Sequence, residues 1–453
     1  QGQKMHGNRS LLTGVLKERM GFNGFIVGDW NGHGQLPRAR IDNSPGAMRA
    51  GLDMYMAPSS WRGLYTNTLA QVQSGEIPRE RLEDAVRRIL RVKLRLGLFD
   101  QPRPSERPLG GRFELIGAPE HLAVARQAVR ESLVLLKNND NLLPIHSAAH
   151  VLVAGDGAND IGKQCGGWTL SWQGNGNTRA DFPNGSSLWD GIRAAIEAGG
   201  GTAVLSEDGS YENRPEVAIV VFGENPYAER AGDREHLDFR PEAGLNLLRK
   251  FQAEGIPTVG VFLSGRPMWM NPEINASDAF VAAWLPGTQG VGVADVLIAQ
   301  SDGTFNHPFT GRLSFSWPRT ALQTAVNRND PDDDPLFAYG YGLTYADERT
   351  LARLSEVSGL EETTEAPDLF FANGQGVGTW QLQGTARDNR VTVLGALTQV
   401  GEALVIRSVD RNAQEDAKQL VWSGASPAQV ELVGPATDIT RQANDDMAIT
   451  LQY

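Results

Sequence analysis

A single cysteine, Cys165, stands among 453 residues, which excludes an internal disulfide, a CxxC pair and a cysteine-built zinc cluster. The ordinary role for such a residue is that of a small buried apolar side chain. No run of 18 or more apolar residues occurs, so no membrane-spanning helix is expected. Positive charge is in deficit: 42 Lys and Arg against 54 Asp and Glu give a formal net charge of −12. Nucleic acid is not an expected partner, because binding it requires a basic face that displaces counterions. A neutral ligand such as a sugar is compatible with that charge. A GxSxG elbow, an HExxH helix and a P-loop are all missing. "GDGAND" at 155–160 follows a strand-like run, but its third glycine is misplaced for a dinucleotide loop. No cofactor is expected. "DPDDDP" at 330–335 could hold a structural calcium, yet it lacks the loop glycine and ligand spacing of an EF-hand and reads first as a solvated linker.

What is present is a chain long enough for two to four domains, 40 % hydrophobic and 21 % charged. Residues 8–19 read as a helix, with Asn8 or Ser10 as its N-cap. "FIVG" (25–28) and "GLDMYMA" (51–57) read as buried strands. Apolar residues at helical spacing across 79–99 predict a long amphipathic helix, with Pro78 just ahead of it. This is strand–helix alternation of the parallel α/β kind, but two strands cannot close a barrel. Residues 1–100 are therefore expected to be the C-terminal part of a larger domain. A Pro- and Gly-rich linker (101–118) follows, then a helix over about 119–137. From there to about 345, continuous apolar runs such as "HVLVAG", "VAIVVFG" and "PTVGVFLSG" alternate with helical segments. That pattern predicts an open parallel sheet covered on both faces. Beyond a second linker (346–364), short alternating runs over 365–453 predict an antiparallel β-sandwich.

Three places could carry chemistry. Asp29 and Trp30 end the run "GFIVGDW", where α/β proteins place functional groups at the carboxyl edge of their strands; a turn cap is the alternative for Asp29, and core packing for Trp30. The long polar loop after "VAIVVFG" holds Glu224, Glu229, Asp233, Glu235 and Asp238, each of which taken singly reads as a solvated acid. "CGGWTLSWQGNGN" (165–177) sets two tryptophans among glycines and polar residues. No local element could bury Trp168, so an aromatic platform for a ring ligand is favoured.

Seven segments in order, "QGQKMHGNRSLLTGVLKERMGFNGFIVGDWNG", "GGWTLSWQG", "FGENPYAERAGD", "LSGRPMWMNP", "AAWLPGTQGVGVADVL", "TGRLSFSWPR" and "FAYGYGLTY", resemble the family 3 glycoside hydrolases across residues 1–345. The likeness is to the exo-acting β-glucan glucohydrolases and β-glucosidases of plants and bacteria. It implies the C-terminal part of a (β/α)8-type barrel (1–100) followed by an α/β sandwich domain (119–345). The tail resembles the extra C-terminal β-sandwich of some marine bacterial exo-glucanases, which binds carbohydrate or braces the catalytic domains.

The family's "SDW" nucleophile corresponds to Asp29, with Gly28 in place of the serine. Its acid/base glutamate corresponds to Glu229, with Glu224 in reserve, and its sugar-clamping tryptophans to Trp30 and Trp168. Asn31 and Gln35 stand where the family usually has an acid and an arginine. The resemblance implies a retaining hydrolase that releases glucose from the non-reducing ends of β-glucan oligosaccharides or β-glucosides, in a secreted or periplasmic setting. The chain is then expected to be part of a longer enzyme and to have little activity alone. Retention places the two carboxyl groups about 5–5.5 Å apart and requires a raised pKa at the general acid. The rivals are a β-N-acetylglucosaminidase of the same family, which would use a histidine instead of Glu229, and a non-catalytic carbohydrate-binding or scaffold fragment.

Overall fold

The computed structural model describes residues 4–330, 334–360 and 370–434, the last with interruptions at 373, 378, 388, 395–396, 410–416 and 424–426. The chain divides into two compact units, Gln1–Ile116 and Gly117–Tyr453.

In the first unit a π-type helix, Ser10–Arg19, leads to β1 (Val27–Trp30), α1 (Pro45–Ala50), β2 (Met54–Met56), α2 (Trp61–Gln73) and α3 (Arg79–Arg95). The strands pair in parallel, Val27 opposite Met54 and Trp30 opposite Met56, with an irregularity between. Among the described residues of this unit no third strand joins them, and no barrel closes. The expected strand at 25–28 therefore lies two residues further on, and it is not buried: Val27 is 50 % exposed. The apolar stripe of α3 is likewise open at Val86, Leu90 and Leu94, because no neighbouring element in the unit covers it.

A buried carboxylate ties the pair together. Asp53 accepts the Ile26 N–H (2.8 Å), the Lys17 ammonium (2.7 Å) and the Arg81 guanidinium, while its own N–H donates to the Ile26 carbonyl. Burial pushes the Lys17 ammonium below its ordinary pKa, and the Asp53 charge opposes that shift.

The second unit opens with α4 (Pro119–Ser132) and β3 (Val134–Asn138). The expected helix over 119–137 stops at Ser132, because "LVLLKN" is a wholly buried strand; an apolar run of that length has no periodicity to separate the two cases. Then come β4 (His150–Ala154), α5 (Ile161–Cys165), α6 (Leu188–Ala198), β5 (Thr202–Leu205), β6 (Val217–Gly223), α7 (Ala243–Ala253), β7 (Thr258–Leu263), α8 (Asn271–Ala276), β8 (Ala279–Trp284) and α9 (Val291–Leu297). The sheet order is β3-β8-β7-β6-β4-β5, parallel except for β3 against β8. Alternate residues of the central strands feed two cores, one per face: Ile219, Val221, Val259 and Val261 on one side, Val220, Phe222, Phe262 and Phe280 on the other.

The same unit carries β9 (Phe371–Ala372), β10 (Gln375–Gly376), β11 (Gln381–Ala386), β12 (Asn389–Thr392), β13 (Leu397–Val400), β14 (Leu404–Val409), β15 (Ala417–Trp422) and β16 (Ala428–Val433). Two antiparallel sheets, β12-β11-β16 and β13-β14-β15, share a small core of Ala386, Val400, Leu404 and Ile406. No helix among the described residues is long and apolar enough to cross a membrane.

Candidate active site

Asp29 sits in β1, exposed, one residue before Trp30, which is 44 % exposed. Its N–H donates to His6 Nε2 (2.9 Å), which fixes that ring nitrogen as an acceptor, and the Trp30 N–H donates to Asp29 Oδ1 (2.6 Å). Burial lowers the His6 pKa, against the pull of the Asp29 charge. The His6 ring occupies the space a side chain would need at Gly32, and a Cβ on Gly28 would come within 3.3 Å of it. The Gly28 that replaces the family's serine thus faces an imidazole. His6 lies in a segment already matched by resemblance, but no spacing rule in the sequence marks it as a partner of Asp29. Of the two departures noted downstream, Asn31 turns the chain with φ +53 and donates its N–H to the Met56 carbonyl, while Gln35 accepts from Lys4 Nζ (2.8 Å).

In the second unit the two loops singled out in the sequence meet. The tryptophan loop leaves α5 and the acidic loop leaves β6. Gln173 joins them, accepting the Ala228 N–H (2.8 Å), and Trp172 Nε1 donates to Glu229 Oε2 (2.6 Å). Gly167 is required here: a Cβ would run into the Tyr227 carbonyl oxygen. Trp168 stands 68 % exposed, in the left-handed region (φ +57), and crosses Trp172 edge to face with ring centroids 6.4 Å apart. An exposed acid beside two indoles is a surface that offers a flat apolar face and a charged group to the same ligand. Trp172 is present in the quoted motif, but its contact with the carboxylate cannot be read from spacing.

Glu229 is exposed, and its pKa lies below the ordinary glutamate range: a backbone hydrogen bond contributes most, then the Trp172 indole. In this unit by itself the upward shift expected of a general acid is not there, because the slight desolvation of so exposed a carboxylate is outweighed by those hydrogen bonds. Glu224, held in reserve for the same role, is 9 % exposed and fully engaged. It accepts from Arg266 Nη2 (2.6 Å) and Nε, from Ser264 Oγ (2.7 Å) and from Tyr227 Oη (3.1 Å). Gly155, in the discarded nucleotide-like turn, has φ +90 and lies against the Val221 carbonyl, so its glycine serves close packing. Among the described residues no group of three or more His, Cys, Asp or Glu converges as a metal site; positions 331–333 of the acidic "DPDDDP" stretch lie outside the described residues.

Residues 1–92 match the model of the glycosyl hydrolase family 3 N-terminal domain, 133–345 that of its C-terminal domain, and 379–453 a galactose-binding domain-like model. The chain is 32 % identical to the lysosomal beta glucosidase of Dictyostelium discoideum over 76 % of this chain and 44 % of that one. It is 27 % identical to the periplasmic beta-glucosidase of Salmonella typhimurium, over 74 % and 50 %. Against the crystal structure of the exo-1,3/1,4-beta-glucanase of a Pseudoalteromonas species it gives a TM-score of 0.77 at 45 % identity, covering 95 % of this chain and 54 % of that one. The chain spans about half the length of the curated relatives it matches. With two models of one family together covering more than half of it in the expected order, the chain belongs to glycosyl hydrolase family 3.

Proposed function

We propose that this chain carries the two catalytic carboxylates of a retaining, exo-acting β-glucosidase or β-glucan glucohydrolase that releases glucose from non-reducing ends. Asp29 is the nucleophile and Glu229 the acid/base; Trp30 and Trp168 hold the sugar ring. The observation that carries the reading is the Glu229–Trp172–Trp168 grouping on a body matched to the family's C-terminal domain. In the first step a carboxylate oxygen of Asp29 attacks the anomeric carbon while Glu229 protonates the departing oxygen. In the second, Glu229 takes a proton from water, which displaces Asp29 from the sugar. Glu229 must be protonated at the outset, so substrate or further protein has to desolvate it or bring the Asp29 charge near it.

Catalysis is accordingly assigned to a longer protein with a complete (β/α)8 unit, in keeping with the share of the relatives' length covered here and the two-stranded sheet. The C-terminal region braces the site: Asn175, in the tryptophan loop, donates to Gln375 Oε1 (3.0 Å) on β10. A secreted or periplasmic setting is part of the proposal, supported by one periplasmic relative.

The test is a 2-deoxy-2-fluoroglucoside trap on the full-length protein, read by peptide mass spectrometry. Label on the peptide containing Asp29, and loss of turnover in Asp29→Ala, are expected; label on another carboxylate would sink the assignment. On 4-nitrophenyl β-glucoside the full-length protein should turn over and this chain alone should not.

A further inference from the structure

The acidic loop does not hang free after β6. Glu224 follows the last residue of β6, and Ser264 and Arg266 follow the end of β7, the neighbouring parallel strand. The Glu224 carboxylate receives the Arg266 guanidinium on both oxygens, Nη2 to Oε1 at 2.6 Å and Nε to Oε2 at 3.1 Å, with Arg234 Nη1 3.8 Å away. Each of those guanidiniums then reaches out to the loop backbone. Arg266 Nη1 donates to the Gly232 carbonyl (2.5 Å), three residues past Glu229; Arg234 donates to the carbonyls of His236 (3.2 Å) and Asp238 (2.7 Å). Tyr227 completes the clasp, its ring 4.4 Å under the Arg266 guanidinium and its hydroxyl donating to Glu224.

One buried anion therefore orients two cations, and the cations hold three carbonyls of the loop that presents Glu229. We propose that Glu224 is a positioning residue for the acid/base: through Arg266 and Arg234 it fixes the loop so that Glu229 meets the leaving oxygen. The proposal rests on Glu229 having that role. An amide at 224 offers one acceptor oxygen instead of two and turns an N–H2 toward the guanidiniums, which are then left half-buried without their shared anion. Displacement of a catalytic group by about 1 Å is enough to cost on the order of 10²-fold in rate.

The experiment compares kcat/KM for two substrates in the full-length protein. Laminaribiose needs its leaving oxygen protonated, whereas 2,4-dinitrophenyl β-glucoside does not. Glu224→Gln should lose about 10²-fold on the disaccharide and less than about threefold on the dinitrophenyl glucoside. Equal losses on both, or no loss, would overturn the proposal. Arg266→Lys, which keeps the charge but replaces the planar fork by a single point donor, should show the same pattern at about tenfold, and supplies the answer if Glu224→Gln does not fold. Glu229→Ala is measured beside them. If it lacks the leaving-group signature, the acid/base assignment has failed. If it has the signature and the two clasp variants do not, only the positioning role has. Hydrogen exchange in this chain gives an independent reading: peptides of 224–238 should exchange faster in Arg266→Lys while β6 and β7 stay protected, and unchanged loop exchange would count against the clasp.

Discussion

Asp29 and Glu229 are held in opposite ways. Asp29 is part of a strand, but that strand has one partner among the described residues and an exposed face, and its place depends on a buried ion cluster centred on Asp53. Glu229 is on an irregular loop, yet that loop is stapled to the end of a six-stranded sheet by two arginines and locked against a second loop by glycines. Regular secondary structure is therefore no guide to which group is better positioned. What counts is whether the polar and close-packed contacts around it are complete within its own unit.

That contrast can be broken most directly at Asp53. Asp53→Asn leaves the Lys17 and Arg81 cations buried against a neutral amide, and loss of one partner of a buried ion cluster costs about 3–5 kcal/mol. The first unit should unfold at markedly lower denaturant while the second keeps its transition, as followed by hydrogen exchange of β1 and of β6. A single shared transition shifted as a whole would show that the units do not melt separately.

A carboxyl group in each of the two units should answer acid, and the two with opposite signs. In the second, burial pushes the Glu273 carboxyl up to about 7 from 4.5. A carboxyl raised in the folded state contributes its stability fully below pH 4.5, and that stability is lost as pH rises through about 7. Glu273→Gln should remove this loss and stabilise the unit at pH 8 by on the order of 3 kcal/mol. In the first, desolvation favours the neutral form of Asp84, but the Arg88, Arg81 and Lys17 cations together outweigh it and hold the pKa below its ordinary value of 3.8. Its contribution is present above that value and lost as pH falls through the lower folded one. Melting curves of the parent and of Glu273→Gln between pH 3 and pH 8 check the Glu273 effect, and those of Asp84→Asn the Asp84 effect; an advantage of Glu273→Gln that did not grow from pH 5 to pH 8 would contradict the Glu273 sign.

Packing supplies a smaller effect. Gly167→Ala drives a Cβ into the Tyr227 carbonyl, so the tryptophan loop must part from the acidic loop, at a cost of about 1–3 kcal/mol. Gly75→Ala gives a control with strain but no clash, since its φ is +80 with nothing near the added carbon. The destabilisation at Gly167 should exceed the control's and be accompanied by a change in the near-ultraviolet dichroism of Trp168 and Trp172.

Much of this organisation can be read in the residues. The run "VAIVVFG" and the "TVGVFL" within "PTVGVFLSG" are fully buried parallel strands because both faces of the sheet are covered, which is what continuous apolar sequence encodes. "LVLLKN" reads as helix but is strand, because a buried strand of five residues and a buried helical turn share the same composition. The exposure of Val27 is unreadable for a different reason: an apolar strand does not reveal whether its neighbours are there. In the tryptophan loop, the exposure of Trp168 is legible from its polar, glycine-rich surroundings. The His6 bond to Asp29, the Trp172 bond to Glu229 and the two arginines under Glu224 are not, because each joins segments whose proximity only the fold creates.

The finest test of the contrast is Trp172→Phe. The phenyl ring keeps an aromatic beside Trp168 but removes the indole N–H that favours the ionised form of Glu229. Losing a donor to the charged form raises a carboxyl pKa. If Glu229 is the general acid, the high-pH limb of kcat/KM, which falls as the acid deprotonates, should move upward with little change at its plateau. The indole makes no hydrogen bond to Asp29, which is bonded by the Trp30 N–H, so the low-pH limb should stay where it was. Movement of the low-pH limb instead would exchange the roles of the two carboxylates.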